Sequence, residues 1–216
     1  MRTSNTSAWR IASFGLGLVL VLVAMASPLA MLDERMLTAH MAQHLLLMSI
    51  APPLILLAMP SRWRVPSRLA RGIGNPPFCW LAATAVLVGW HVPAVFWLGM
   101  QSAVWHAVEQ FSFLVCGLLF WWPVILQPPR WSIVLYLFFA TLPCDVLSGL
   151  LVFSGRIVYP MYLCRPQHSA LSVLEDQQCA GALMWTVVTV VYLAAGTILA
   201  TQLLSPQRNP APLEVA

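Results

Sequence analysis

Residues 37–59, "LTAHMAQHLLLMSIAPPLILLAM", hold no Asp, Glu, Lys or Arg, yet carry two histidines four positions apart, His40 and His44. A run of about 20 apolar residues is long enough to cross a bilayer as a helix. The stretch therefore reads as a transmembrane span with two imidazoles inside it. Five more segments qualify on the same ground, at 9–31, 77–99, 103–126, 131–153 and 179–204. No strand periodicity, internal repeat or low-complexity tract competes with them.

Composition agrees. Of the 216 residues, 60% are hydrophobic and only 8% charged, where a soluble domain has roughly 25%. Mean hydropathy is +0.79. Seventeen prolines and 11 glycines would break up a soluble helical protein, but transmembrane helices tolerate both. The expected fold is all-α: a polytopic membrane bundle of about six transmembrane helices. Residues 1–206 read as one transmembrane domain and 207–216 as a disordered cytoplasmic tail.

All 11 basic residues are Arg. Arg2, Arg10, Arg62, Arg64, Arg68, Arg71, Arg130 and Arg208 fall on one side of the six-span topology, against Arg35, Arg156 and Arg165 on the other. Positive loops stay inside, so both termini are expected in the cytoplasm of a bacterial inner membrane. The net charge of +4 thus reads as orientation and contact with anionic lipid, not as a nucleic-acid surface. The first segment has a second reading as a cleaved signal peptide, with Ala24-Met25-Ala26 at the cleavage position. The other five spans keep their orientation under either reading.

Placed on these spans at 1.5 Å per residue, His40 lies roughly 5 Å inside the outer end of span two, with His44 one turn deeper. His91 falls in the outer third of span three. His106 and Glu109 occupy the first two turns of span four, and Asp145 stops about 12 Å short of the outer end of span five. The loop at 154–178 adds His168, Glu175 and Asp176. Four histidines from three spans are thus expected at one depth in the outer leaflet. An intramembrane carboxylate costs about 2.5–3.5 kcal/mol on insertion scales and usually faces the bundle interior.

Met36, His40, His44 and Met48 recur every four residues, which puts them on one helical face. A His-x-x-x-His pair can hold a metal ion from one side, with His91, His106 and Asp145 closing the shell. Imidazole suits Zn, Cu, Fe and Ni, and thioethers tilt the choice toward Cu(I). The plainer readings stand beside this one. A lone membrane histidine more often hydrogen-bonds a neighbouring helix, and a methionine at helical spacing is usually packing. Glu109 and Asp145 read as groups orienting imidazoles, a proton path, or interhelical hydrogen bonds. Glu175 and Asp176 read as helix N-terminal caps, with recruitment of a cationic copper donor as the sharper alternative.

The five cysteines form no C-x-x-C pair. Cys79, Cys116 and Cys144 read as small packing residues. Cys164 and Cys179 both fall on the outer side, either bridged, worth roughly 3 kcal/mol by chain entropy, or left as two thiols. There is no phosphate loop, nucleophile elbow or zinc-protease motif.

"AHMAQHLLLMSIAPPLILLAMP" (39–60), "GWHVP" (89–93), "WHAVEQFSFLVCGLLFWWPV" (105–124), "FSGRIVYPMY" (153–162) and "LEDQQCAGALMW" (174–185) occur in this order. Together they resemble the membrane-embedded CtaG family of cytochrome c oxidase assembly factors. The resemblance implies a non-enzymatic protein needed to mature haem–copper oxidases at the copper centre of the catalytic subunit. It maps His40 and His44 onto the family's H-M-x-Q-H, His91 onto its W-H-x-P, and His106 with Glu109 onto its H-x-x-E. Where the family usually has His after that Glu, this chain has Gln110, which favours a smaller histidine set.

The expectation is copper, as Cu(I), bound by His40, His44, His91 and His106. Met36, Met41, Met48, Glu109 and Asp145 are auxiliaries. The oxidase catalytic subunit and a periplasmic copper donor are the expected partners. Two other classes remain open: a haem b electron carrier ligated through His44 and His91, and a metal-free assembly scaffold.

Overall fold

The computed structural model describes residues 3–59, 74–165 and 170–205. Among these residues nine α-helices follow in order: α1 (Thr3–Ala26), α2 (Pro28–Leu32), α3 (Leu37–Leu45), α4 (Ala51–Leu57), α5 (Pro76–His91), α6 (Pro93–Gly99), α7 (Ala103–Leu126), α8 (Trp131–Phe153) and α9 (Val173–Leu204). A π-helical turn, Leu46–Ile50, joins α3 to α4, and a 3₁₀ turn, Pro160–Cys164, precedes α9. No strand occurs among the described residues. Among the described residues five helical stretches are long and apolar enough to cross a membrane, namely α1 with α2, α3 through α4, α7, α8 and α9, and α5 with α6 makes a sixth crossing if that bent pair counts as one. The architecture is that of a multi-pass membrane protein. Arg2, Arg62, Arg64, Arg68, Arg71, Arg208, His168 and the 207–216 tail lie outside the described residues.

The burial pattern is that of a protein solvated by lipid. Leu135, Phe138, Phe139, Leu142, Val146, Leu150 and Phe153 form an exposed apolar stripe along α8. The interior holds His40, Gln43, His44, Glu109, Gln110 and Asp176. In hydrocarbon, polar side chains must find partners inside the bundle.

Two of the expected spans differ from the folded helices, and both differences shape the site. Residues 77–99 are not one span. Val92 is extended (φ −65°, ψ 125°) ahead of Pro93, and the chain bends by 84° between α5 and α6. Proline clashes with a helical predecessor, so "HVP" ends α5 at His91 and restarts the chain with Pro93 in the first turn of α6. At 16 residues, α5 rises about 24 Å. Its last residue therefore ends within the bundle, and α6 turns across it.

The last span starts at Val173 rather than 179. Ser172 Oγ accepts from Glu175 N at 3.3 Å, and Glu175 Oε2 accepts from Ser172 N at 2.7 Å. This capping box starts the helix one and a half turns early, so Glu175 and Asp176 belong to α9, not to a loop.

The π turn has a proline cause. Pro52 carries no N–H for the carbonyl of Met48 four residues earlier. Trp121 Nε1 on α7 donates to that carbonyl at 3.1 Å. α7 crosses here at Gly117, where an added Cβ would stand 2.8 Å from the Met48 backbone. Below the crossing, Phe120 stacks on Tyr136 and Tyr192, with ring centroids 5.0 and 5.1 Å away.

Candidate metal centre

α3 starts where a foreign carboxylate caps it. Asp176 Oδ2 accepts from Leu37 N at 2.6 Å, Oδ1 accepts from Thr38 N at 3.3 Å, and Thr38 Oγ1 donates to the Asp176 carbonyl at 3.0 Å. This pins the register of α3 against α9. His40 and His44, one turn apart, then face α7, their ring centroids 4.3 Å apart. Ser102 caps α7 by accepting from Trp105 N, and the next turns carry His106, Glu109 and Gln110 to the same place.

Glu109 is wholly buried, and its Oε1 lies 3.4 Å from both His40 Nε2 and His44 Nε2. Asp33, also wholly buried, comes from the turn between α2 and α3. Its Oδ2 is 2.8 Å from His106 Nε2 and 3.9 Å from His40 Nδ1. Two triads result, Asp33–His40–His106 and His40–His44–Glu109, each with one ligand-type atom per residue within 4.8 Å of the others. The His106 side chain, 20% exposed, is the outermost member.

Asp33, His40, His44, His106 and Glu109 meet as carboxylate–imidazole pairs at 2.8–3.9 Å, but few of their polar atoms make well-aligned hydrogen bonds. Both oxygens of Asp33 and Glu109, both ring nitrogens of His40 and His44, and Nε2 of His91 are buried with no partner of hydrogen-bonding geometry. Buried polar groups are ordinarily paired, because an unpaired one costs about 1–3 kcal/mol. The spacing supplies a reason. Two ligand atoms bound at about 2.0–2.1 Å to a tetrahedral ion stand about 3.4 Å from each other, the separation of Glu109 Oε1 from each imidazole nitrogen. Two imidazoles and a carboxylate are a donor set for Zn, Fe or Cu. The residues present fit a transition-metal ion.

The surroundings hold this set in place. Gln110 Nε2 donates to Gln43 Oε1 at 3.2 Å and lies 3.0 Å from His106 Nε2, so the position next to Glu109 serves as a hydrogen-bonding link. Phe113 stacks on His44 at 3.9 Å, and Phe96 of α6 packs edge-on to His40 at 4.9 Å. Tyr159 Oη donates to the His91 carbonyl at 2.9 Å, and Tyr162 Oη to the Asp33 carbonyl at 3.0 Å. Burial, with the nearby Glu109 and Asp33 charges, pushes both phenols up from their ordinary value, so they stay neutral donors.

A cavity of about 40 Å³ opens beside His44, lined also by His91, Met41, Met48, Cys144 and Met184. His91 is 6.1 Å from His44, centroid to centroid. Its Nδ1 sits 2.7 Å from the Leu87 carbonyl, which fixes the proton there and leaves Nε2 as a bare lone pair.

The four sequence-predicted histidines and Glu109 thus meet at one end of the bundle. Met41 and Met48 line the adjoining cavity; Met36, half-buried at the start of α3, does not. Asp145 on α8 joins neither triad, and its Oδ1 is buried without a partner. Cys164 and Cys179 are free thiols. Sequence reasoning missed Asp33. Its signal was a carboxylate seven residues, two helical turns, ahead of His40, which at a span boundary passes for an ordinary interfacial charge. Glu175 and Asp176 both act as helix N-terminal caps, as expected, Glu175 for α9 and Asp176 for α3.

A family model described as "Cytochrome c oxidase caa3 assembly factor (Caa3_CtaG)" matches residues 1–205. No curated protein matches the chain, and no solved structure does.

Proposed function

The chain belongs to the caa3-type cytochrome c oxidase assembly factor family, and from that premise we propose that it carries copper, as Cu(I), in the His40–His44–Glu109 centre and delivers it to the catalytic subunit of the oxidase. The observation that carries this reading is a buried cluster of imidazoles and a carboxylate, poorly served by hydrogen bonds, whose 3.4 Å spacing matches ligands around one ion. The premise selects copper among the metals this set suits, since the client is a copper enzyme. The thioethers of Met41 and Met48 beside His44 favour the monovalent state.

On this reading the copper is cargo. His106, the partly exposed member, receives it with the buried Asp33 beside it, His40, His44 and Glu109 hold it, and an incoming ligand from the client withdraws it. No substrate bond is made or broken, so the protein is not an enzyme. What counts against the haem reading is space. A macrocycle between His44 and His91 needs a slot of several hundred Å³, and the cavity there is about 40 Å³.

The test is made in cells whose only copy of the gene carries His40→Ala and His44→Ala. Oxidase isolated from them is expected to contain haem but to lack copper at the catalytic centre, with partial recovery on excess copper. Full copper loading of that oxidase, with the variant present at normal level in the membrane, would leave the scaffold reading in its place.

A further inference from the structure

The donors at this end of the bundle sort into two chemically different groups. Around Glu109 they are imidazole and carboxylate; around the cavity beside His44 they are the imidazoles of His44 and His91, three thioethers and the Cys144 thiol. His91 belongs to neither triad. Its Nδ1 is committed to the Leu87 carbonyl, and its Nε2, on a ring 5% exposed, has no partner. Met41 and Met48 reach the same cavity from α3 and the π turn, and Met184 from α9, all three buried. Three separate elements therefore bring sulfur, and a fourth, α5, a bare imidazole nitrogen, to one void, roomy enough for an ion or a few waters.

We propose that this cavity is a second metal position, selective for a soft monovalent cation of the Cu(I) class, held by His91 Nε2 and the thioethers of Met41, Met48 and Met184 and reached from the His40–His44–Glu109 centre past His44. The proposal rests on the copper reading above. Passage between the two positions is ligand exchange alone: bonds from the ion to imidazole and carboxylate break while bonds to imidazole and thioether form. The ion keeps its charge and no electron moves. No proton has to leave, because His91 Nε2 is already a lone pair and thioethers carry none. The harder outer centre captures copper broadly, and the softer inner one retains only Cu(I).

The full chain, purified in detergent, is titrated anaerobically with Ag(I), a soft ion with no redox chemistry here, and separately with Zn(II). Bound metal is counted after desalting. Wild type is expected to hold two Ag(I) and one Zn(II). Met48→Leu with Met184→Leu, a volume-conserving pair, is expected to lose one Ag(I) and keep the Zn(II). His40→Ala with Glu109→Gln is expected to lose the Zn(II) and keep one Ag(I). X-ray absorption of Cu(I)-loaded wild type is expected to show sulfur ligands, a readout independent of whether the leucine variant folds. A single Ag(I) in wild type, unchanged by the leucine pair and without a sulfur signal, would overturn the second position and leave a water pocket beside an intact outer centre. No Ag(I) or Zn(II) at all in folded wild type would overturn the copper reading itself.

Discussion

Gly99 shows how finely the centre is fitted. A Cβ added there would stand 2.8 Å from Glu109 Oε2 and 3.3 Å from the Trp90 ring. The carboxylate can move aside, so Gly99→Ala is expected to leave thermal unfolding in detergent nearly unchanged. It is expected to weaken metal binding about tenfold, the usual scale for disturbing a group next to a ligand. An unchanged affinity would show that Glu109 has no fixed position to lose. At this scale the sequence was legible in part. His40, His44, His106 and Glu109 follow from four-residue and three-residue spacing on two helices, which sets a common face before any packing is known. Asp33 does not, because its place depends on the turn that folds α2 back toward α3. Asp145 looked equivalent to the others by depth, but depth fixes height along a helix and not rotation about it.

The elements that aim these side chains are held by a few polar contacts in trans. The N-terminus of α3 has no capping side chain of its own, and Asp176 of α9 takes that role through Leu37 N and Thr38 N. Asp176→Ala is expected to destabilise the protein by about 1–2 kcal/mol, the scale of a lost N-cap, read as a lower unfolding temperature. Asp176→Asn is expected to lose less, since its carbonyl can still accept one bond. Equal stability of Asp176→Ala and wild type would remove the cap from the account. Helix existence was readable from hydropathy at every span, whereas breaks were not. The bend at Val92–Pro93 was written in "HVP", but a proline inside an apolar run also occurs within unbroken helices of this chain, at Pro123 and Pro143. Tertiary contacts decide between the two outcomes. Here the Tyr159 bond to the His91 carbonyl and the packing of Phe96 under His40 reward ending the helix.

The whole molecule places the centre at the end of the bundle shared by the α2–α3 turn, α6, the start of α7 and the start of α9. From the arginine bias of the sequence, that end is expected to face the outside of the cell. Cys164, exposed in the 3₁₀ turn at the same end, reports on it directly. With Cys179→Ser as background and Cys79, Cys116 and Cys144 buried, a membrane-impermeant maleimide is expected to label Cys164 in sealed right-side-out vesicles. Labelling only in inverted vesicles would reverse the orientation and put the centre on the cytoplasmic face. Buried carboxylates and imidazoles with few well-aligned hydrogen bonds are costly inside a lipid-solvated bundle, which is the ground for proposing a metal there. That claim is tested most directly by Cu(I) binding to the purified protein, in anaerobic competition with a chromophoric chelator, for wild type and for His40→Ala with His44→Ala. The account predicts tight copper binding by wild type and loss of the outer equivalent, at least a hundredfold in affinity, in the double variant. Equal binding by the two proteins, or none by correctly folded wild type, would contradict it.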